Sequence, residues 1–159
     1  MRRSALFALL CTTSLLAPAL AQSTTALKKS IQANYLSIND LAQRGQLRVQ
    51  MRRCPNVGPE FSLMSDRAGK VVRYAVSHGG EDSAFTVQHD YDSARRLTFV
   101  LVTYATVRGE RAEWRFYFAP SGRVVDMVRS GSTGMLPERI LWEYITRDPM
   151  LDWTTKWCP

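Results

Sequence analysis

The sequence predicts an α+β fold: an N-terminal amphipathic helix packed on a curved antiparallel β-meander of six or seven strands, followed by a short C-terminal helix. Three observations predict it. Apolar residues are spaced three or four positions apart between residues 24 and 44, which is the helical period. β-branched and aromatic residues, interrupted by turn-forming segments, then fill residues 47–129. A second apolar stripe with helical spacing lies between Pro137 and Asp148.

The first 21 residues are predicted to form a secretory signal peptide. Arg2 and Arg3 precede an apolar run, and Ala19-Leu20-Ala21 fits an A-x-A cleavage site. The run is short and contains polar residues, which argues against a membrane-spanning helix; an uncleaved anchor is the alternative. We therefore expect a secreted or periplasmic bacterial protein with a single α+β roll domain over residues 22–159.

Two cysteines, Cys54 and Cys158, follow the predicted signal peptide. In an oxidising compartment they most simply form one disulfide bond. It would close a loop of about 100 residues, for which chain entropy gives up to about 5 kcal/mol of stabilisation. A redox pair or a metal site would require other spacings or further ligands.

The predicted pairing of the strands depends on two tight turns. A two-residue turn at Gly109-Glu110 would pair Thr103 with Phe116, and one at Ser121-Gly122 would pair Phe116 with Met127. Side chains that pair across strands share a face. We expect the first helix to cover the larger apolar face, which this register assigns to Phe99, Leu101, Trp114, Phe116, Phe118, Val125 and Met127.

The second face of the predicted sheet carries a candidate ligand-binding site. The same register places Tyr104 opposite Arg115 and Tyr117 opposite Asp126. Aromatic rings beside an arginine and a carboxylate are typical of small binding sites. The alternative is a half-covered sheet face in which Arg115 and Asp126 simply pair.

Catalytic and metal-binding patterns are not recognisable. His78 and His89 lie near several carboxylates, but pairing His78 with Ser83 would separate the two histidines by about 20 Å, which is too far for one metal ion. Asp90 is expected to pair with Arg96 across two strands. We therefore expect no metal, no cofactor and no catalytic residues.

The chain is basic, with a formal net charge of +7 that includes Arg2 and Arg3. Such a charge favours an anionic partner, and we expect an anionic envelope polymer or a protein. The candidate polyanion contacts are Arg52, Arg53, Arg95 and Arg96. A basic run with interleaved aromatic residues is missing, so a nucleic acid partner is not expected.

Residues 115–125 resemble a hairpin with the pattern Tyr-Phe-x-x-x-Gly-Lys/Arg that is found in uncharacterised secreted bacterial proteins; here it reads Tyr117-Phe118-Ala-Pro-Ser-Gly122-Arg123. The order of elements is also similar to that of cystatin-like and nuclear-transport-factor-like rolls. These resemblances assign no functional residue.

We expect a non-enzymatic binding or envelope-associated module. The alternatives are a small-ligand or hydrolytic enzyme of the roll type and an inhibitor of an extracellular enzyme that presents the loop Gly79–Ser83.

Export and the disulfide bond can each be tested by mass spectrometry. Mass spectrometry of protein recovered outside the cytoplasm should find Gln22 as the first residue, and non-reducing peptide mapping should recover Cys54 and Cys158 in one linked species. An intact Met1 would contradict signal cleavage. Two free thiols in protein purified without reductant would contradict the bond.

Overall fold

The computed structural model describes residues 24–55, 58–132 and 138–155. It contains one seven-stranded antiparallel sheet, in which each strand pairs with its neighbour in the sequence, together with a helix before the sheet and two short helices after it. The predicted α+β class is confirmed in these terms. The elements are α1 (Thr24–Gln43), β1 (Arg48–Arg53), β2 (Glu60–Ser65), β3 (Val71–Gly79), β4 (Ser83–Tyr91), β5 (Leu97–Thr106), β6 (Arg111–Phe118), β7 (Val124–Gly131), α2 (Glu138–Glu143) and α3 (Pro149–Thr155).

Helix α1 has almost the bounds that its periodicity predicts. Gly45 follows it with φ of +65°, and its N–H donates to the carbonyl of Ala42 at 3.0 Å. The N–H of Gln46 donates to the carbonyl of Leu41 at 2.9 Å. These two bonds form a Schellman motif, which glycine favours because it has no Cβ to oppose the left-handed conformation.

One turn type closes four of the hairpins. In each, a three-residue loop ends in a residue with positive φ, as in a type I turn followed by a G1 bulge. Glycine occupies that position at three turns, but Arg95 occupies it at the β4–β5 turn with φ of 61°. A side chain in this conformation costs about 1–2 kcal/mol. The four positions are Gly69, Arg95, Gly109 and Gly122.

The predicted register of β5 and β6 is wrong because of this turn. Gly109 ends a three-residue loop instead of beginning a two-residue one, and Thr106 and Glu110 flank that loop. The pairing therefore shifts by three positions, so that Val102 lies opposite Trp114. An odd shift exchanges the faces of one strand relative to its partner. The β6–β7 pairing of Phe116 with Met127 is confirmed, although a bulge follows it at Tyr117/Phe118.

The apolar core is divided between the two faces of the sheet. The smaller buried cluster joins Ile31 of α1 to Phe99 and Tyr117. The larger cluster lies on the other face and includes Leu141 of α2 and Trp153 of α3, so the prediction that α1 covers the larger apolar face is wrong. Its other members are Cys54, Phe61, Leu63, Val71, Tyr74, Val76, Val87, Tyr91, Leu97, Val100, Val102, Ala112, Trp114, Phe116 and Phe118.

The C-terminal part of the chain contains a helix that the sequence analysis did not predict. We expected one helix that ends at Asp148-Pro149, followed by a tail, but α2 ends at Glu143 and α3 begins at Pro149. The Asp148 carboxylate accepts hydrogen bonds from the N–H groups of Met150 and Leu151 at 3.1 and 3.0 Å. An aspartate that caps a helix with proline at its first position is a common start, so Asp148-Pro149 begins a helix here.

Strand β1 forms one edge of the sheet, and all six of its residues are exposed. The predicted alternation places Val49 and Met51 on one face, where they are 53% and 60% exposed, whereas Leu47 just before the strand is buried. The strand is therefore held by its backbone pairing with β2 rather than by side-chain burial.

Several predictions concern residues outside the described ranges. The signal peptide lies there, as does Cys158, so the Cys54–Cys158 bond stays a prediction; Cys54 itself is buried. Among the described helices, none has the length and apolar character needed to cross a bilayer.

Gly131 at the end of β7 gives a test of this geometry. A Cβ atom there would lie 2.1 Å from the carbonyl oxygen of Arg111, whereas one at Gly109 would meet nothing within 4 Å, although both glycines have positive φ. We expect Gly109→Ala to lower the free energy of unfolding by about 1–2 kcal/mol and Gly131→Ala to lower it by clearly more. Gly79→Ala, which has neither problem, is the control. Equal losses in urea titrations of the Gly109 and Gly131 variants would contradict the close approach of β7 to Arg111.

Candidate functional site

A cleft of about 300 Å³ lies between α1 and the face of the sheet that carries the smaller buried cluster. Helix α1 contributes one wall, and β5 and β6 contribute the other. Each wall presents several side chains to the cleft, because residues three to four apart share one face of a helix and alternate residues share one face of a strand. The lining residues are Gln32, Tyr35, Leu36, Phe99, Leu101, Glu113, Arg115 and Tyr117.

Three aromatic rings form the apolar part of the cleft. The ring of Phe99 lies between the other two, with centroid distances of 5.2 Å to both Tyr35 and Tyr117. The Tyr35–Phe99 pair is edge-to-face, with an interplanar angle of 63°. Such pairs contribute about 0.5–1.5 kcal/mol beyond their burial. The rings therefore form a preorganised apolar wall beside Leu36, which is 63% exposed.

Charged side chains surround the aromatic wall. Arg115 forms an ion pair with Glu113, and both line the cleft. Beside it, Lys28 of α1 forms an ion pair with Asp126 and lies 5.0 Å from the centre of the Tyr117 ring. The hydrogen bond from Lys28 holds the pKa of the Asp126 carboxyl below its usual value. Because both pairs are partly exposed, they can exchange partners with a charged ligand at modest cost.

A buried ion pair lies under α1 next to the cleft. The Nε atom of Arg73 donates to Asp90 at 2.6 Å and an Nη atom donates to its second oxygen at 2.9 Å, and the side chains are 7% and 0% exposed. The other Nη atom of Arg73 donates to the side-chain oxygen of Asn39 in α1 at 2.8 Å. The guanidinium also lies 5.5 Å from the centre of the Tyr35 ring. This one side chain therefore contacts β4 and two positions of α1.

Burial and pairing act on Asp90 in opposite directions. Burial raises the pKa of the Asp90 carboxyl above its ordinary value, and the hydrogen bonds from Arg73 oppose that rise. A bidentate guanidinium is the partner that best offsets the cost of a buried carboxylate. The expected pair of Asp90 with Arg96 is wrong: Arg96 pairs with Asp92 in the β4–β5 turn.

The structure separates the four predicted ligand-binding residues. Arg115, Tyr117 and Asp126 share the face on which α1 lies, and Arg115 and Tyr117 line the cleft. Tyr104 lies opposite Ala112, on the other face, because of the shift in the β5–β6 register. The predicted pairing of Tyr104 with Arg115 is therefore wrong, whereas that of Tyr117 with Asp126 is confirmed.

The four predicted polyanion contacts do not form one surface. Arg52 and Arg53 lie at the end of the sheet where β1 ends and β2 begins, whereas Arg95 and Arg96 lie in the β4–β5 turn at the other end. Arg52 donates to the carbonyl of Trp153 at 2.6 Å and stacks on its ring at 4.3 Å. Arg53 forms an ion pair with Glu60.

Both histidines lie on the face of the larger core cluster, where they contribute to packing. His89 is fully buried and its Nδ1 lies 3.2 Å from the carbonyl oxygen of Tyr74, which is its strand partner. His78 lies opposite Phe85 instead of Ser83, and burial lowers its pKa. The imidazoles are four positions apart along the paired strands, about 13 Å. Within the described ranges, no group of three or more His, Cys, Asp or Glu side chains is arranged to hold a metal ion.

Several residues of the cleft were not singled out as functional by the sequence. The apolar stripe of α1 predicts a core-facing surface; its Tyr35 also lines the cleft, and Gln32 and Leu36 flank the stripe. Arg73 and Asp90 did carry a signal, since each is a charge inside an otherwise alternating apolar strand. Such charges are rarely buried unless paired.

Comparisons of the chain with protein families, curated proteins and solved structures find no match.

The buried ion pair can be tested by removing one or both partners. Arg73→Met should lower the free energy of unfolding by about 3–5 kcal/mol because it leaves the Asp90 carboxylate buried without a counter-charge. Without Arg73 the pKa of Asp90 rises further, so the stability lost by the variant should grow as the pH rises from 4 to 7.

The double variant Arg73→Met/Asp90→Leu supplies the control. It should recover most of the loss and show little of this pH dependence in denaturant titrations. A single variant as stable as the wild type would contradict the assignment of the pair.

Proposed function

We propose that this chain is an exported, non-enzymatic binding module that holds a small amphipathic ligand in the cleft between α1 and the sheet. The observation that carries the proposal is the aromatic wall of Tyr35, Phe99 and Tyr117 with the Arg115–Glu113 pair beside it. Ligand sites in proteins are mostly apolar with a few polar groups that orient the ligand, and about 300 Å³ is at the small end of their range.

The chemistry of the walls favours one ligand class. A planar apolar group can pack on the exposed Leu36 and the half-buried Tyr35 ring, above Phe99 and Tyr117, which are 5% and 3% exposed. Arg115 offers donors to a carboxylate or sulfonate. The Arg115 side chain is 48% exposed, so a ligand can reach it from solvent. An aromatic or short aliphatic anion therefore fits the cleft better than a sugar or a cation does.

An enzyme is the second candidate, but the cleft offers little for catalysis. Among the described residues that line it, Glu113 is the single carboxylate, and no serine, cysteine or histidine is present. Hydrolysis requires a nucleophile or an activated water together with a positioned base. The inhibitor alternative receives less support, because the carbonyl of Asp82 in the loop Gly79–Ser83 is tied to the N–H of Val107 at 3.0 Å.

The proposal includes the finer architecture. We propose that α1 stays docked on a curved sheet in solution, held by Arg73, Asn39 and the Ile31 contacts, and that the Cys54–Cys158 bond forms after export. Docking of α1 is required for the cleft, because α1 supplies one of its walls.

Binding of 8-anilinonaphthalene-1-sulfonate, an aromatic sulfonate, tests the cleft by isothermal titration calorimetry. We expect one site, and Arg115→Gln should weaken binding about tenfold because it removes a charged hydrogen-bond donor. Leu36→Glu should weaken it as well, since it places a negative charge on the exposed rim.

Val107→Glu is the matched control, because Val107 is 72% exposed and lies outside the cleft. It should leave the affinity unchanged. Equal affinities of the wild type and the Leu36→Glu variant would contradict a ligand site between α1 and the sheet.

A further inference from the structure

Three hairpin turns and the segment between α2 and α3 place four arginines at one end of the sheet. We define the basic end as Arg67 of the β2–β3 turn, Arg95 of the β4–β5 turn, Arg123 of the β6–β7 turn and Arg147 of the segment between α2 and α3. All four are exposed. Within the described part of the chain, no carboxylate forms an ion pair with any of them, whereas Arg96 of the same β4–β5 turn pairs with Asp92, and Arg53 and Arg115 elsewhere each have a partner.

Three aspartates at this end accept hydrogen bonds from backbone N–H groups. Asp66 accepts hydrogen bonds from two N–H groups of its own turn at 2.9 Å. Asp92 does the same in the β4–β5 turn and also pairs with Arg96, and Asp148 caps α3. These aspartates fix the turns, and they number three, against the four arginines of the basic end together with Lys70 and Arg96, so this end of the sheet has a net positive charge.

Side-chain contacts join the turns into one surface. Lys70 of the β2–β3 turn donates to the carbonyl of Ser93 in the β4–β5 turn. Arg147 donates to the carbonyl of Gly122 in the β6–β7 turn at 3.0 Å. A groove of about 530 Å³ lies between these turns, lined by Gly69, Val71, Tyr91, Arg95, Arg147, Asp148, Pro149 and Met150.

Apolar side chains are exposed beside these arginines. Met150 lines the groove and is 46% exposed, and Leu151 follows it at 56%. Exposed apolar residues next to basic ones suit a surface that offers anionic head groups outside and hydrocarbon beneath. A soluble anion would need the arginines but not the apolar pair.

Arg95 stands out among the equivalent turn positions. Three of the four hold glycine, yet Arg95 keeps the left-handed conformation at φ 61°. Non-glycine residues in such conformations concentrate at functional sites, and this one places a guanidinium at the rim of the groove.

We propose that the basic end docks on an anionic phospholipid surface, with the four arginines against the head groups and Met150 and Leu151 inserted between them. The inference does not depend on a ligand in the cleft, because the cleft and the groove share no lining residue. It gives the exported module a defined orientation, with α3 and the three turns towards the membrane.

Co-sedimentation of the exported protein with vesicles tests the proposal. We expect partition onto vesicles of phosphatidylglycerol and phosphatidylcholine, none onto phosphatidylcholine alone, and a decrease with added salt. Arg95→Gln/Arg147→Gln should lower the partition coefficient by more than tenfold, at about fivefold for each arginine. Met150→Gln/Leu151→Gln should lower it at every salt concentration.

Two further pairs of substitutions keep the test specific. Arg67→Gln/Arg123→Gln, at two exposed turn residues, should lower the partition coefficient as Arg95→Gln/Arg147→Gln does. An unchanged temperature of thermal unfolding would exclude a folding defect in this variant. Arg108→Gln/Arg111→Gln removes the same charge at the opposite end of the sheet and should change nothing. An equal loss with this control pair, equal binding to neutral vesicles, or complete displacement by millimolar inorganic phosphate would overturn the proposal.

Discussion

The bidentate contact of Arg73 with Asp90 is the interaction on which the arrangement around the cleft depends. It joins β3 to β4, and through Asn39 and the Tyr35 ring it reaches α1. Two buried charges satisfy each other only in one relative position, whereas apolar contacts tolerate sliding. The pair therefore specifies where α1 lies along the strands. The ring of Tyr35, one turn of helix before Asn39, is thereby placed against Phe99.

Periodicity is enough to predict α1 and the strands, but not α3 or the pairing of β5 with β6. The helix α1, the strands and the α+β class follow from spacing and residue type, which are local properties. The β5–β6 register failed on a single residue, because Gly109 suits both the first position of a two-residue turn and the last of a three-residue loop. The three-position difference moved Tyr104 to the opposite face, and with it the predicted ligand site was divided.

Proximity in the sequence also misled the interpretation of charge. Arg52 and Arg53 precede the Cys54 loop, and Arg95 and Arg96 lie in a turn, so each pair is a short basic cluster that predicts contact with a polyanion. The meander places alternate connections at opposite ends of the sheet, and these pairs lie at different ends. Conversely, Arg67 and Arg123 are far apart in the sequence and lie at the same end because every second connection returns to it, and Arg147 reaches that end through its hydrogen bond to Gly122.

Strand β1 is an exposed edge of the sheet, where two copies of the chain could associate at high protein concentration. The edge strand of a sheet is a template on which a second chain can add a strand, and this is the usual route to aggregation. Half of the residues of β1 are arginines, at positions 48, 52 and 53. Edge-to-edge pairing of two copies through β1 would bring six guanidinium groups together, against the two Glu60 carboxylates that pair with Arg53. The charge on this strand therefore opposes the edge-to-edge association of two copies.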